Sequence, residues 1–264
     1  MKSIPEEAYL DSFSVLEVAL VAPDILWANV NRPDAQNAIN FEVIDELERL
    51  VDFIEENEKI SAFILSGSGA KSFIAGGDLK EFHSIKNRRE AADMSERVHE
   101  LLLRIEYLPA WTIACVNGLA YGGGIEILLS FDFHIAADTA SFGFTQGRFY
   151  LTPGWGGLTR LVEKVGKSKA FQLLAEAAVL NSEEVQKLGI IEKVVPFDDL
   201  HASTLGWAEE LTKNDRYFIR RLKKSVHASR KERLQQLKAE IEPFTDLWVH
   251  EKHEQRVEKF IRKD

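Results

Sequence analysis

The chain has a single cysteine, Cys115 in TIACVNG, so it cannot close a disulfide on itself. The apolar neighbours of that thiol favour a buried core residue over a nucleophile. No apolar run approaches the ~20 residues that cross a bilayer. The amino-terminal MKSIPEEAYL has no basic patch leading into an apolar stretch, and together these absences point to a cytoplasmic protein with no membrane partner. Basic residues are fewer than acidic ones: 33 Lys and Arg against 42 Asp and Glu leave a net charge of −9, which argues against nucleic acid as a partner. An anionic small ligand is still admissible, because it needs only local donors. Low-complexity linkers and fixed-period repeats are also missing. A composition that is 45% hydrophobic and 28% charged belongs to a globular chain, and 264 residues suffice for one large α/β unit or for such a unit with an appendage.

Alternating apolar runs and amphipathic stretches supply the elements. VLEVALVAPDILWANVNRP reads as a hairpin turning at Pro23 and Asp24 and stopped by Pro33. From 41 to 54 apolar residues recur at helical spacing, with Asn40 as N-cap. ISAFILSG and AWTIACVNG are short buried strands, FDFHIAAD is another, and AADMSERVHELLLRIEYL is a second amphipathic helix. Strand and helix in alternation predict a largely parallel sheet with crossovers. Past IIEKVVPFDDL the strand signals stop, so residues 1–200 are expected to form the body and 201–264 a helical region packed on it or on another subunit.

Two glycine loops break this pattern, SGSGAKSFIAGGDLKEF at 66–82 and NGLAYGGGIEILLS at 117–130. Each stands where a buried strand gives way to a helix whose first N–H groups lack intrahelical partners. Glycines there serve tight turns and close packing, or admit a ligand against the backbone. Two such N–H groups aimed at one point stabilise charge on a carbonyl oxygen, a device worth about 3 kcal/mol per donor. Glu126 follows in the first helical turn, where a carboxylate suits the helix dipole and where it could also reach the same pocket as an acid or base. Asp78 reads as a cap for its loop; Lys80 and Arg32 are either solvated or available to phosphates.

NRPDAQNAIN, SFIAGGDLKEF, VNGLAYGGGIE, FGFTQGRFYLTPGWGGLTRL and AAVLNSEEVQKLGIIEKVVP follow one another with the order and spacing of the enoyl-CoA hydratase/isomerase (crotonase) superfamily, which the chain resembles strongly over about 15–200 and in outline beyond. The resemblance implies an α/β spiral of ββα units, a C-terminal helical region used in trimers, and a homotrimer or homohexamer. It implies an acyl-CoA substrate, with coenzyme A as part of the thioester and no cofactor or metal. The thioester oxygen would be held, as an enolate forms, by the amides of Gly77 and Gly123. Glu126 would be the acid/base, and Ala75, Gly76, Asp78, Lys80, Gly122, Arg148 and Trp155 would contact substrate.

Two adjacent positions depart from the family's pattern. Its hydratases place a second glutamate in a loop reading roughly Gly-x-Pro-Glu, where this chain has Thr145 and Gln146. An amide cannot exchange a proton as a carboxylate does, so Gln146 is left to orient a water or hold a carboxylate. TPGWGG, with Trp155, looks somewhat like the ethylmalonyl-CoA decarboxylase branch. Three readings therefore stand: a hydratase/isomerase, a decarboxylase of ethylmalonyl- or methylmalonyl-type thioesters, and a non-catalytic acyl-CoA-binding protein. Arg148 is either a surface residue or a partner for a substrate carboxylate. HEKH (His250, His253) has ligand spacing but no third ligand. VGKSKA lacks the first glycine of a phosphate loop, since Leu161 stands there, and GSGAKS lacks the third glycine of a dinucleotide fingerprint.

Overall fold

The computed structural model describes residues 9–228 and 232–262. β1 (Leu16–Ala22) and β2 (Ile25–Val30) form the antiparallel hairpin. Helix α1 (Phe41–Glu56) starts at Asn40, whose Oδ1 accepts from the Val43 amide at 3.0 Å. Then follow β3 (Ala62–Gly67), β4 (Ser72–Ile74), α2 (Leu79–Phe82), α3 (Arg88–Tyr107), β5 (Trp111–Val116), β6 (Leu119–Tyr121), α4 (Gly123–Leu128), β7 (Phe133–Ala137) and β8 (Ser141–Gly143). A 3-10 turn (Thr145–Phe149) leads to α5 (Gly157–Val165), α6 (Lys167–Ala175), β9 (Val179–Asn181), α7 (Ser182–Lys187) and β10 (Lys193–Val195). From there the described chain is helical: α8 (Leu200–Leu211), α9 (Arg216–Ala228), α10 (Arg233–Ala239), α11 (Ile241–Trp248) and α12 (Glu251–Ile261). No described helix is long and apolar enough to cross a membrane.

The strands form two sheets. The larger has the order β1-β2-β3-β5-β7-β10, parallel from β2 onward; the smaller has the order β4-β6-β8-β9, with only β8 and β9 antiparallel. Each circuit of the chain therefore lays one strand in the large sheet and the next in the small one before its helix: β3 then β4, β5 then β6, β7 then β8. β3 is buried at every position, as expected of a parallel strand covered on both faces, which is why it reads as an unbroken apolar run. Cys115, on β5, is 1% exposed, and burial pushes its thiol up to about 11, so it is a core residue.

The small sheet corrects the placement of the glycine loops. They do not leave the strands at 62–67 and 111–116 directly, because a three-residue strand, β4 or β6, intervenes. Strands of that length carry too few side chains to show alternation. The helix after the second loop also stops at Leu128, with Ser130 in the turn beyond it.

The C-terminal helices pack on the body: α11 lies against α3, and α12 against the 3-10 turn. Between α3, α5 and α10 lies a buried ionic cluster. Glu106 Oε2 accepts from Arg160 Nη2 at 2.8 Å and its Oε1 meets Arg233 Nη2 at 2.6 Å, while Arg233 Nε reaches Glu163 at 2.7 Å. Burial opposes a charge on Glu106, but Arg160 and Arg233 outweigh it and hold the carboxyl below the usual range. Its stabilisation is thus present above the ordinary carboxylate range and is lost as pH falls through the lowered folded-state value. Glu106→Gln leaves two buried guanidinium groups short of a counter-charge and is expected to lose about 3–5 kcal/mol in urea unfolding at neutral pH. A loss under about 1 kcal/mol would show that the cluster contributes little.

Candidate active site

Three neighbouring strands of the small sheet run parallel and so end on one side. β4 delivers Ala75 to Asp78, β6 delivers Gly122 and Gly123, and β8 delivers Thr145 and Gln146. Gly76 (φ 118°) and Gly122 (φ 51°) turn the chain through conformations that a side chain disfavours. The first two loops abut, since a Cβ on Gly76 would stand 3.1 Å from Tyr121 O and 3.6 Å from the Gly123 nitrogen.

Two amides of these loops lie outside the regular backbone hydrogen-bond ladders. Ile39 pairs with Gly77 in a parallel bridge, in which the Ile39 amide donates to Gly76 O and the Asp78 amide to Ile39 O, both at 2.8 Å. Those bonds flank Gly77 and leave its own N–H outside the ladder. Gly123 is the first residue of α4, so its N–H has no intrahelical acceptor. Trp155 packs against both glycines: a Cβ on Gly123 would lie 2.2 Å from Trp155 Cζ3, and one on Gly77 would lie 3.3 Å from Trp155 Cη2. A cavity of about 980 Å³ opens here. The catalytic and substrate-contact residues expected from the family resemblance all line it: Ala75, Gly76, Gly77, Asp78, Lys80, Gly122, Gly123, Glu126, Gln146, Arg148 and Trp155.

Their settings differ. Glu126 is 4% exposed. Its Oε2 accepts from the amides of Trp155 at 2.7 Å and Gly157 at 3.0 Å, and its Oε1 accepts from Gln146 Nε2 at 3.3 Å. Burial, and then the charge of Glu240, push its carboxyl up to about 7 against the opposing pull of these bonds. Gln146 Oε1 is buried without a protein partner. Asp78 caps α2, accepting from the amides of Lys80 and Glu81, and pairs with Arg32 at 2.9 Å. Arg32 also bonds Ala38 O and does not line the cavity. Lys80 and Arg148 are exposed, and Arg148 Nη2 donates to Ala177 O at 3.0 Å. His250 and His253 are spent on the chain: His250 accepts from the Lys252 amide, and His253 Nδ1 donates to Phe149 O at 2.7 Å.

Other contributors gave no sign in the sequence. Arg160 holds the carbonyls of Trp155 (3.3 Å) and Gly156 (3.1 Å), fixing the turn whose amides grip Glu126. Phe244, Trp248 and Phe260 from α11 and α12 wall the cavity. The i, i+4 spacing of Phe244 and Trp248 was the available signal, but it reads equally as core. Gly157 packs so closely that a Cβ would stand 2.3 Å from Glu126 Cγ. Gly157→Ala is therefore expected to displace the carboxylate and cost about 1–3 kcal/mol in thermal unfolding. A variant as stable as the parent would show that the turn yields.

Comparison with known proteins agrees with this architecture. A sequence profile of the enoyl-CoA hydratase/isomerase family matches residues 23–264. The short-chain-enoyl-CoA hydratase of Clostridium acetobutylicum is 34% identical over 198 residues, covering 75% of this chain and 76% of its own. The crystal structure of an enoyl-CoA hydratase from Bacillus anthracis superposes with a TM-score of 0.79 at 28% identity, over 95% of this chain and 97% of that one. An enoyl-CoA hydratase/isomerase from Xanthobacter autotrophicus Py2 shares the fold with a TM-score of 0.87 at 22% identity, over 95% and 94%. The two-sheet circuit is the crotonase-like ββα spiral with C-terminal helices, and the chain belongs to the enoyl-CoA hydratase/isomerase family.

Proposed function

We propose that the protein converts an acyl-CoA thioester through an enolate held by the amides of Gly77 and Gly123, with Glu126 as the acid/base. What supports this reading is Glu126 itself, a buried carboxyl pushed up to about 7 by burial and by the charge of Glu240, on the wall of the cavity that Gly77 and Gly123 also line. In hydration of an enoyl-CoA, Glu126 takes a proton from water, the oxygen bonds to C3, charge moves onto the thioester oxygen, and the proton returns to C2. Gln146 donates to Glu126 and keeps Oε1 for the hydrogen of that water, an orienting role that does not require a second acid. No step calls for a cofactor or a metal. Ala75, Gly76 and Gly122 shape the thioester seat, Trp155 covers it, and Asp78 braces it. Lys80 and Arg148 at the rim meet the anionic part of coenzyme A.

The amide at 146 also favours a second reading, decarboxylation of an ethylmalonyl- or methylmalonyl-type thioester. There the bond from Cα to the carboxylate breaks, carbon dioxide leaves, the electron pair enters the enolate, and one proton from Glu126 ends the reaction. A homotrimer or homohexamer belongs to the same proposal, supported by the exposed Tyr217, Phe218 and Leu222 on α9.

Mass spectrometry after incubation in heavy water with a short enoyl-CoA and with ethylmalonyl-CoA separates the readings. Hydration of the first is expected, with deuterium at C2. Loss of carbon dioxide from the second alone would move the assignment to decarboxylase, and binding without turnover of either would leave a binding protein. The pH profile gives an independent check. Hydration needs ionised Glu126, so its rate rises with pH through about 7; decarboxylation needs the protonated form, so its rate falls there. Glu126→Gln is expected to lose about 10²–10⁴-fold in kcat in either case.

A further inference from the structure

Two buried carboxylates share the start of one helix. Glu126, on α4, takes the amides of Trp155 and Gly157. Glu240, at the junction of α10 and α11, takes the next two, Leu158 at 3.0 Å on Oε2 and Thr159 at 2.6 Å on Oε1. The three leading amides of α5 are thus divided between two acids, each 4% exposed. Glu240 does not line the cavity and touches no substrate position. Neither acid forms an ion pair among the described residues: Arg160, one turn along, is occupied by Glu106 and by the carbonyls of Trp155 and Gly156. In a dry interior the second of two such acids to ionise does so against the charge of the first.

We propose that Glu240 is a positioning residue that governs the protonation state of Glu126 through the helix start they share. The groups around the pair act on the two acids unequally. Burial raises both carboxyls; Thr159, the Leu158 amide and the charge of Arg160 pull Glu240 back, whereas Glu126 faces Gln146, the turn amides and Glu240. Behind Gly156, His99 is kept neutral, down to about 4, by burial and by the charges of Arg160 and Lys238, so it adds no cation. Glu106, Arg160, Arg233 and Glu163 form one ionic set, from which Arg160 also reaches the turn. Arg160 thus favours the charged form of Glu240, and that charge falls on Glu126. The acid/base at the cavity is in this way tuned by a residue of the C-terminal helices.

Infrared spectroscopy of the whole protein across pH tests this without turnover, using the protonated-carboxyl band assigned to Glu126 by its loss in Glu126→Gln. In Glu240→Gln that band is expected to disappear about one pH unit lower than in the parent, and the pH profile of turnover to move with it while kcat on the plateau changes less than about threefold. A midpoint unmoved within about 0.2 unit in a folded variant overturns the proposal. Should Glu240→Gln not fold, the parent protein decides: the Glu126 band must shift in frequency at a lower pH, as Glu240 ionises, before it vanishes. A single inflection overturns the proposal. The catalytic consequence rests on Glu126 being the acid/base, but the band does not; inactivity toward every thioester would defeat the functional reading and leave this result standing.

Discussion

A carboxyl group with no cation bonded to it among the described residues sits in the interior of this protein, and much of the site is arranged around keeping it there. Glu126 survives burial because the backbone supplies what solvent would, two amides from the turn at 155–157 and one from Gln146. That turn depends on Gly156 (φ 87°), on Gly157 for lack of space, and on Arg160 tying down its carbonyls. Arg160 can be buried only because Glu106 neutralises it, and Glu106 only because Arg233 shares the load. The chain of dependence runs from the cavity through α5 to α3 and α10.

A second dependence concerns space. The Trp155 indole occupies the volume that a side chain on Gly123 would need and crowds the one on Gly77, while Ile74 O lies 2.1 Å from a Cβ built on Gly124. The three glycines after Tyr121 thus answer to different constraints: backbone conformation at 122, the indole at 123 and the strand β4 at 124. Gly123, which lines the cavity, sits in packing that would exclude any larger residue.

Local chemistry made a good part of this legible in the sequence. The Asn40 cap, the period of α1, the continuous apolar run of β3, the Asp78 cap and the two glycine loops all signal through neighbours within a few residues. The small sheet did not, because its strands have three residues each and alternation needs more. Glu240 and Arg160 were silent for another reason: each lies in a charged, helix-periodic stretch where a solvated face is the ordinary reading, and it takes the packing of α10 against α5 to place them inside. Gln146 was visible as a departure, but its bond to Glu126 was not, since the two are joined only by adjacent strand ends.

The wall of the cavity formed by Phe244, Trp248 and Phe260 has a temporal side. During synthesis both glycine loops, Glu126, Gln146 and Trp155 leave the ribosome well before the aromatic residues that close the cavity around them and before the carboxylate at 240 that completes the start of α5. The nascent chain therefore passes through a stage in which the glycine loops and a buried-to-be acid stand open to water. The final helices, which read as an appendage, are the step that dries the site.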